Sequence, residues 1–131
     1  MPLEIGNTFV SKKTETIPSH FWIIISDPSA NPEKVVVVNL TSWRKTAVGL
    51  NDASCIVNKG EHEFITSKSY IYYRKATCAS LENLQKAIDG VVTTLRENCS
   101  DALLNKILEG AAKSEFTSNE VNKVLREQKL I

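Results

Sequence analysis

Only two of the 131 residues are histidine and three are cysteine, and basic and acidic side chains nearly cancel at sixteen against fifteen. That balance excludes a global field drawing the chain onto nucleic acid or an anionic membrane, so any polyanion contact has to come from a local patch. The cysteines, Cys55, Cys78 and Cys99, are odd in number and widely spaced, with no Cys-x-x-Cys unit. They make no paired disulfide framework, and reduced thiols are the expectation. The longest apolar runs, such as 21–25, are about five residues, against the ~20 needed to cross a bilayer. The first residues carry no basic segment followed by an apolar one. A soluble, non-exported, cytoplasmic protein without a membrane partner is expected.

What is present is strand-rich at first and helix-rich later. Phe21 to Ile25 and the four valines Val35 to Val38 read as two buried central strands, with Asp27-Pro28 and Asn31-Pro32 punctuating their link. A shorter strand is expected near Gly6 to Phe9, another at Ser54 to Val57, a turn on Lys59-Gly60, and a last strand near Ser69 to Lys75. Alternation in that strand sends Tyr70, Tyr72 and Arg74 one way, and Ile71, Tyr73 and Lys75 the other. Several short strands at close spacing favour a small barrel. After Ala79, Leu81, Leu84, Gln85 and Ile88 take helical spacing with Gly90 as a stop. Ser100 is the expected N-cap of a second helix, reaching about Lys113 with Leu103, Leu104, Ile107, Leu108 and Ala111 on one face. A capping box, Thr117-Ser118-Asn119-Glu120, opens a third. The fold class predicted is α+β in one domain, a small barrel over about residues 1–78 with helices over about 79–131 packed on it. The apolar face of the second helix covers the barrel or forms a dimer contact.

Two stretches, Ser19-His20-Phe21-Trp22-Ile23-Ile24-Ile25-Ser26 and Val35-Val36-Val37-Val38-Asn39-Leu40-Thr41-Ser42, resemble the PemK/MazF toxin family of SH3-like β-barrels. In that family one strand opens with Arg-Pro before an apolar run ending in Ser, and the next strand ends in Thr-Ser. Asp52-Ala53-Ser54-Cys55, Gly60-Glu61-His62-Glu63-Phe64-Ile65 and Ser69-Tyr70 are similar to a divergent branch of it. The resemblance covers roughly residues 6–76. It implies an SH3-like barrel and, beyond the fold, an mRNA endonuclease that forms a homodimer and is neutralised by an antitoxin. Thr41 and Ser42 match the pattern, whereas His20-Phe21 stands where the family has its catalytic arginine and proline.

Metal-free RNA cleavage needs a base for the 2′-hydroxyl proton, an acid for the leaving oxygen, and a cation or donor on the phosphate. His20 is the candidate base or acid, because an unperturbed imidazole titrates near neutrality. Thr41 and Ser42 are candidate donors to the phosphate and Arg44 its cation. His62 becomes a second acid or base if the turn at Gly60 folds over the barrel mouth. Tyr70 and Tyr73, with Tyr72, Trp22 and Trp43, are candidates for stacking bases; Arg74, with Lys45, Lys59, Lys68 and Lys75, for following the backbone. Residues 1–76 carry nine basic and seven acidic side chains, a slight excess that a groove would have to concentrate.

Each of these has a plainer reading. His20 begins a strand, His62 lies in a solvated turn between Glu61 and Glu63, Thr41-Ser42 is a strand-ending polar pair, and the tyrosines are cross-strand packing. A metal site would gather Asp52, Cys55 and His62, with His20. Asp52-x-x-Cys55 followed by a lone histidine is not a standard ligand spacing, so no metal and no cofactor is expected. For Cys55 a buried strand thiol is the default. Two functions remain open: a toxin-like endoribonuclease acting on RNA, or a non-catalytic SH3-like module that binds a protein or nucleic acid through its loops and tyrosines.

Overall fold

The computed structural model describes residues 3–11, 20–44, 51–89 and 93–131, with the backbone alone over 93–96. Ser19, Lys45 and Gly90, singled out above, lie outside the described residues. Among the described residues, seven strands make one antiparallel sheet: β1 (Thr8–Ser11), β2 (Phe21–Ile24), β3 (Val35–Ser42), β4 (Ile56–Val57), β5 (Ser69–Ile71), β6 (Thr77–Ala79) and β7 (Thr93–Arg96). Six follow the order β4-β5-β3-β2-β1-β7, and β6 joins by pairing with β3. β3 organises the whole. One edge pairs with β2, Ile23 opposite Val38; the other pairs first with β6, Val36 opposite Cys78, and then with β5, Thr41 opposite Tyr70.

The valine run lacks alternation because both its faces are covered, the usual reason for a continuous apolar strand. Val36 and Val38 pack with Phe21, Ile23, Val57 and Ile71 beneath α2 (Asp101–Lys113) and α3 (Asn119–Glu127), whose Leu103, Ile107, Val121, Val124 and Leu125 are buried there. Val35 and Val37 face the other way, onto Phe9, Ile24 and Leu84 of α1 (Leu81–Asp89). Each such aliphatic side chain contributes roughly 1.5–3 kcal/mol by leaving water, so the two cores together hold the three layers. Among the described residues, no helix is long and apolar enough to cross a membrane.

The α+β class holds, with three departures from expectation. The sheet is not closed into a barrel: among the described residues, β4 and β7 end its path and do not pair with each other. The segment after Ala79 is not wholly helical, because β7 pairs with β1, Phe9 opposite Leu95, and widens the sheet. The last tyrosine-rich strand is short, stopping at Ile71, and Tyr73–Lys75 form a single 3-10 turn.

The helix starts follow local chemistry. Ser100 caps α2 by accepting from the Leu103 N–H at 3.1 Å. α3 is capped by Ser118, which accepts from the Val121 N–H at 3.2 Å. Thr117, the expected capping-box residue, is instead buried and donates its hydroxyl to the Ala111 carbonyl at 2.9 Å.

Candidate functional site

Residues directly opposite in an antiparallel pair present their side chains to the same face. Trp22 stands opposite Asn39, whose carbonyl accepts from the Tyr72 N–H at 2.9 Å. One step along, Thr41 stands opposite Tyr70. His20 directly precedes β2, and Phe21 pairs with Leu40, so the next position of the register sets His20 beside Thr41. These rows continue the face that α1 covers around Val35 and Val37, and beyond Val37 the apolar packing gives way to polar residues. The result is a cleft of about 520 Å³ floored by Asn39, Thr41, Tyr70 and Tyr72 and bounded by His20, Arg44, Arg74 and Lys75.

Neighbouring elements hold each of these groups. The His20 N–H donates to the Ser11 hydroxyl at 3.0 Å and its carbonyl accepts from the Ser11 N–H at 2.9 Å, while its ring packs edge-on to Trp22 at 6.2 Å. Asn51 clamps the main chain of Arg44 from both sides, accepting from its N–H at 3.1 Å and donating to its carbonyl at 2.8 Å. The Arg74 guanidinium lies 3.6 Å over the Phe116 ring. Tyr70 meets Tyr72 edge to face at 6.2 Å and Trp43 at 5.9 Å. Burial, and then the neighbouring Tyr72, push the Tyr70 phenol above its ordinary range, so it stays a neutral donor.

Among the described residues, no carboxylate lines the cleft. Among the described residues, the salt bridges are Lys34–Glu120, Lys86–Glu82, Lys106–Glu61 and Lys123–Glu127, which leaves Arg44, Arg74 and Lys75 outside any ion pair. A chain with one net positive charge therefore collects three cations and a histidine at one concavity.

Of the residues proposed from sequence, His20, Thr41, Arg44, Tyr70 and Arg74 meet in this cleft. Three do not. Ser42 is exposed and points to the opposite face from Thr41, lining a smaller adjoining hollow of about 170 Å³ that shares His20 and Thr41 as its wall. Tyr73 is 1% exposed and donates its hydroxyl to the Ile107 carbonyl at 2.6 Å, a core contact between the 3-10 turn and α2. His62 is buried against Phe21 at 4.8 Å between ring centroids. Its Nδ1 accepts from the Phe64 N–H at 3.1 Å, which places the proton on Nε2 for the Glu97 carbonyl at 2.5 Å. With both nitrogens engaged, His62 is neither in a solvated turn nor at the cleft.

The residues weighed for a metal are likewise engaged in the packing. The Asp52 carboxylate accepts from the Ser114 hydroxyl at 2.6 Å and the Ser54 N–H at 2.9 Å. Cys55 is 1% exposed, and burial pushes its thiol up to about 11, so it is protonated and enclosed. Among the described residues, no group of three His, Cys, Asp or Glu side chains is arranged to hold a metal ion.

Tyr72 and Lys75, named above beside Tyr70 and Arg74, also line the cleft, Lys75 because the 3-10 turn breaks the strand period. Asn39 is the cleft residue that sequence reasoning missed, although a polar residue ending a four-valine run in a strand buried on both faces is a signal.

Chemically, the cleft combines one imidazole, three hydroxyls, an amide and three unpaired cations, which suits an anionic ligand with flat rings and a proton to lose. Comparison with known proteins finds no matching family, no matching curated protein and no matching solved structure.

Proposed function

We propose that the chain is a toxin-like endoribonuclease of PemK/MazF type that binds single-stranded RNA in the cationic cleft and cleaves it without a metal. The observation carrying this reading is the convergence of His20, of Thr41 with Arg44, and of Arg74, from three separate stretches of sequence, on one concavity with no carboxylate among its described lining residues. The arrangement of β3, partnered along one edge by β5 and β6, supports taking the open sheet as a divergent SH3-like barrel.

In the proposed reaction His20 takes the 2′-hydroxyl proton and O2′ attacks the adjacent phosphorus. Arg44 and Arg74 stabilise the charge on the pentacoordinate phosphorane, with Thr41 as a hydroxyl donor. The P–O5′ bond breaks as Tyr72 gives its proton to the departing oxygen, and the proton held by His20 then returns to the Tyr72 phenolate through water, which restores both groups. The products are a 2′,3′-cyclic phosphate and a 5′-hydroxyl. Tyr70 and Tyr72 offer faces for stacked bases. An antitoxin would act by occupying the same cleft.

The enclosure of His62 favours a second reading, because it leaves the cleft a single histidine. In that reading the site binds RNA without cutting it. Incubating purified protein with end-labelled, unstructured RNA in a chelator separates the two. Cleavage that leaves cyclic phosphate ends and disappears in His20→Ala supports the nuclease. Intact RNA that stays bound supports the module, and RNA that is neither cut nor bound sinks both.

A further inference from the structure

The wall of His20 and Thr41 separates the cleft from the adjoining hollow of about 170 Å³, and the two concavities differ in charge. Three cations bound the cleft, whereas among the described residues no Lys, Arg, Asp or Glu lines the hollow. The hollow is built from hydroxyls, among them those of Ser42, Thr66 and Ser67, and from the rings of Phe21 and Phe64. Phe64 is 39% exposed, and among the described residues it is the exposed large apolar side chain. Its ring stacks on Phe21 with centroids 4.9 Å apart and planes 9° from parallel. Phe21 is itself buried, so the exposure of Phe64 falls on the rest of its ring. A lone surface phenylalanine is ordinary. One backed by a second ring, beside the candidate base of the reaction, is a rigid platform for a flat group.

We propose that the hollow seats the nucleoside on the 5′ side of the bond to be cut, its base stacked on Phe64, so that the RNA crosses the wall of His20 and Thr41 in one direction. The inference rests on the nuclease reading above and adds the polarity of the strand. Polarity follows from the chemistry of that reaction. The O2′ that loses its proton to His20 belongs to the upstream nucleoside, and the O5′ that takes a proton from Tyr72 belongs to the downstream one. His20 borders both concavities, while Tyr72 borders the cleft and not the hollow. The downstream nucleoside therefore lies in the cleft with Tyr72, and the space across the wall is left for the upstream one. Charge agrees with this division, since Arg44, Arg74 and Lys75 suit phosphates and a neutral hollow suits a base. Pockets for drug-sized ligands run to roughly 300–1,000 Å³, so the hollow takes a fragment of that size, such as a single base. Hydroxyls both donate and accept, so Ser42, Thr66 and Ser67 can meet the edge of any base.

The test is cleavage, by the full chain, of octamers with one ribose in a deoxyribose background, so that only the bond after that ribose can be cut. In two further octamers the base on the ribose, or the base of the next nucleotide, is removed. Wild type is expected to cut the parent octamer and to lose about tenfold or more in kcat/KM when the upstream base is absent, the usual scale for one base stacked on an aromatic ring. Phe64→Ala should lose a similar factor on the parent, mainly through KM, and should lose less than about threefold more when the upstream base is removed. Its response to removal of the downstream base should match that of wild type. Phe64→Tyr, which keeps the ring, should restore wild-type behaviour, and thermal unfolding confirms that both variants are folded. A Phe64→Ala protein that cuts all three octamers as wild type does overturns the proposal and leaves the nuclease reading intact. Insensitivity of Phe64→Ala to the downstream base, in place of the upstream one, reverses the polarity and overturns it too. If wild type leaves the parent octamer whole the proposal fails, and an all-ribose octamer left equally whole takes the nuclease reading with it.

Discussion

His62 donates from Nε2 to the carbonyl oxygen of Glu97 at 2.5 Å, tying the loop between β4 and β5 to the chain just after β7. The contact closes the end of the sheet over Phe21 and uses up the imidazole that sequence reasoning had assigned to chemistry. The two histidines of this chain thus have opposite roles, one built into the core and the other, His20, half-buried at the cleft wall.

That contrast predicts a clean split between stability and activity. His62→Ala should lower unfolding free energy by about 2–4 kcal/mol, since it removes ring packing and leaves the Glu97 carbonyl and Phe64 N–H without their partner. RNA binding per folded molecule should stay near wild type. His20→Ala should change stability by less than about 0.5 kcal/mol, as for a partly exposed substitution, and abolish cleavage. Urea unfolding alongside single-turnover cleavage measures both, and a stable but inactive His62→Ala would contradict the assignment.

Asn39→Val should stabilise the fold by about 1 kcal/mol, because it replaces an unpaired buried carbonyl with a β-branched side chain that suits a strand. Thermal unfolding of the two proteins side by side measures this, and a lower midpoint for the variant would show that the Asn39 side chain is a stabilising contact.

Gly110 lets α2 approach the sheet. A Cβ there would come within 2.8 Å of the Cys55 Cβ and 2.9 Å of the Ser54 carbonyl, and would meet the Tyr73 hydroxyl as well. Gly110→Ala should cost about 1–3 kcal/mol by overpacking. The penalty should shrink when Tyr73→Phe removes that hydroxyl, a coupling that a double-mutant cycle in urea would read out.

Asp52 makes the stability sensitive to acid. Burial pushes its carboxyl up, but the hydrogen bonds from the Ser114 hydroxyl and Ser54, helped by the positive Arg74, outweigh this and hold it below the ordinary 3.8. A depressed folded-state pKa contributes stability that is present above the unfolded value and lost as pH falls through the folded one. Asp52→Asn should therefore be less stable than wild type at neutral pH, and the difference should narrow steadily below about pH 4. A gap that stays constant into acid would show that the carboxylate charge is not involved.

The cleft cations should appear in the salt dependence of RNA binding. Each of Arg44→Ala and Lys75→Ala is expected to reduce the slope of log affinity against log salt by about 0.7, the single-strand value per phosphate neutralised. Fluorescence titration from low to moderate salt tests this. Lys86→Ala, on the exposed helix α1 and paired with Glu82, should leave the slope unchanged.

Much of the architecture is written locally. The valine run announces a strand covered on both faces, and Ser100 and Ser118 mark helix starts because a hydroxyl needs only the next few N–H groups to act as a cap. The convergence of His20, Thr41 and Arg44 was also legible, since strand-end positions on adjacent strands fall at the same end of a sheet. β7 was not: its segment follows a helix, and what makes it a strand is β1 at the far end of the chain.

The amino-acid order thus decided most of the strands and helices, β7 and the 3-10 turn at Tyr73–Lys75 excepted, because those choices depend on periodicity and on hydrogen bonds within a few residues. Only the folded arrangement decided which side chains face the cleft. Tyr72 was separated from Tyr73 when Tyr73 entered the core to bond Ile107, and His20 from His62 when His62 became bonded to Glu97. Asn39 became a floor residue, its Oδ1 without a partner among the described residues, only once the register set Trp22 and Tyr72 beside it. Burial and partnership between segments distant in sequence are settled by packing, and packing determines whether a polar group is a structural contact or a site for a ligand.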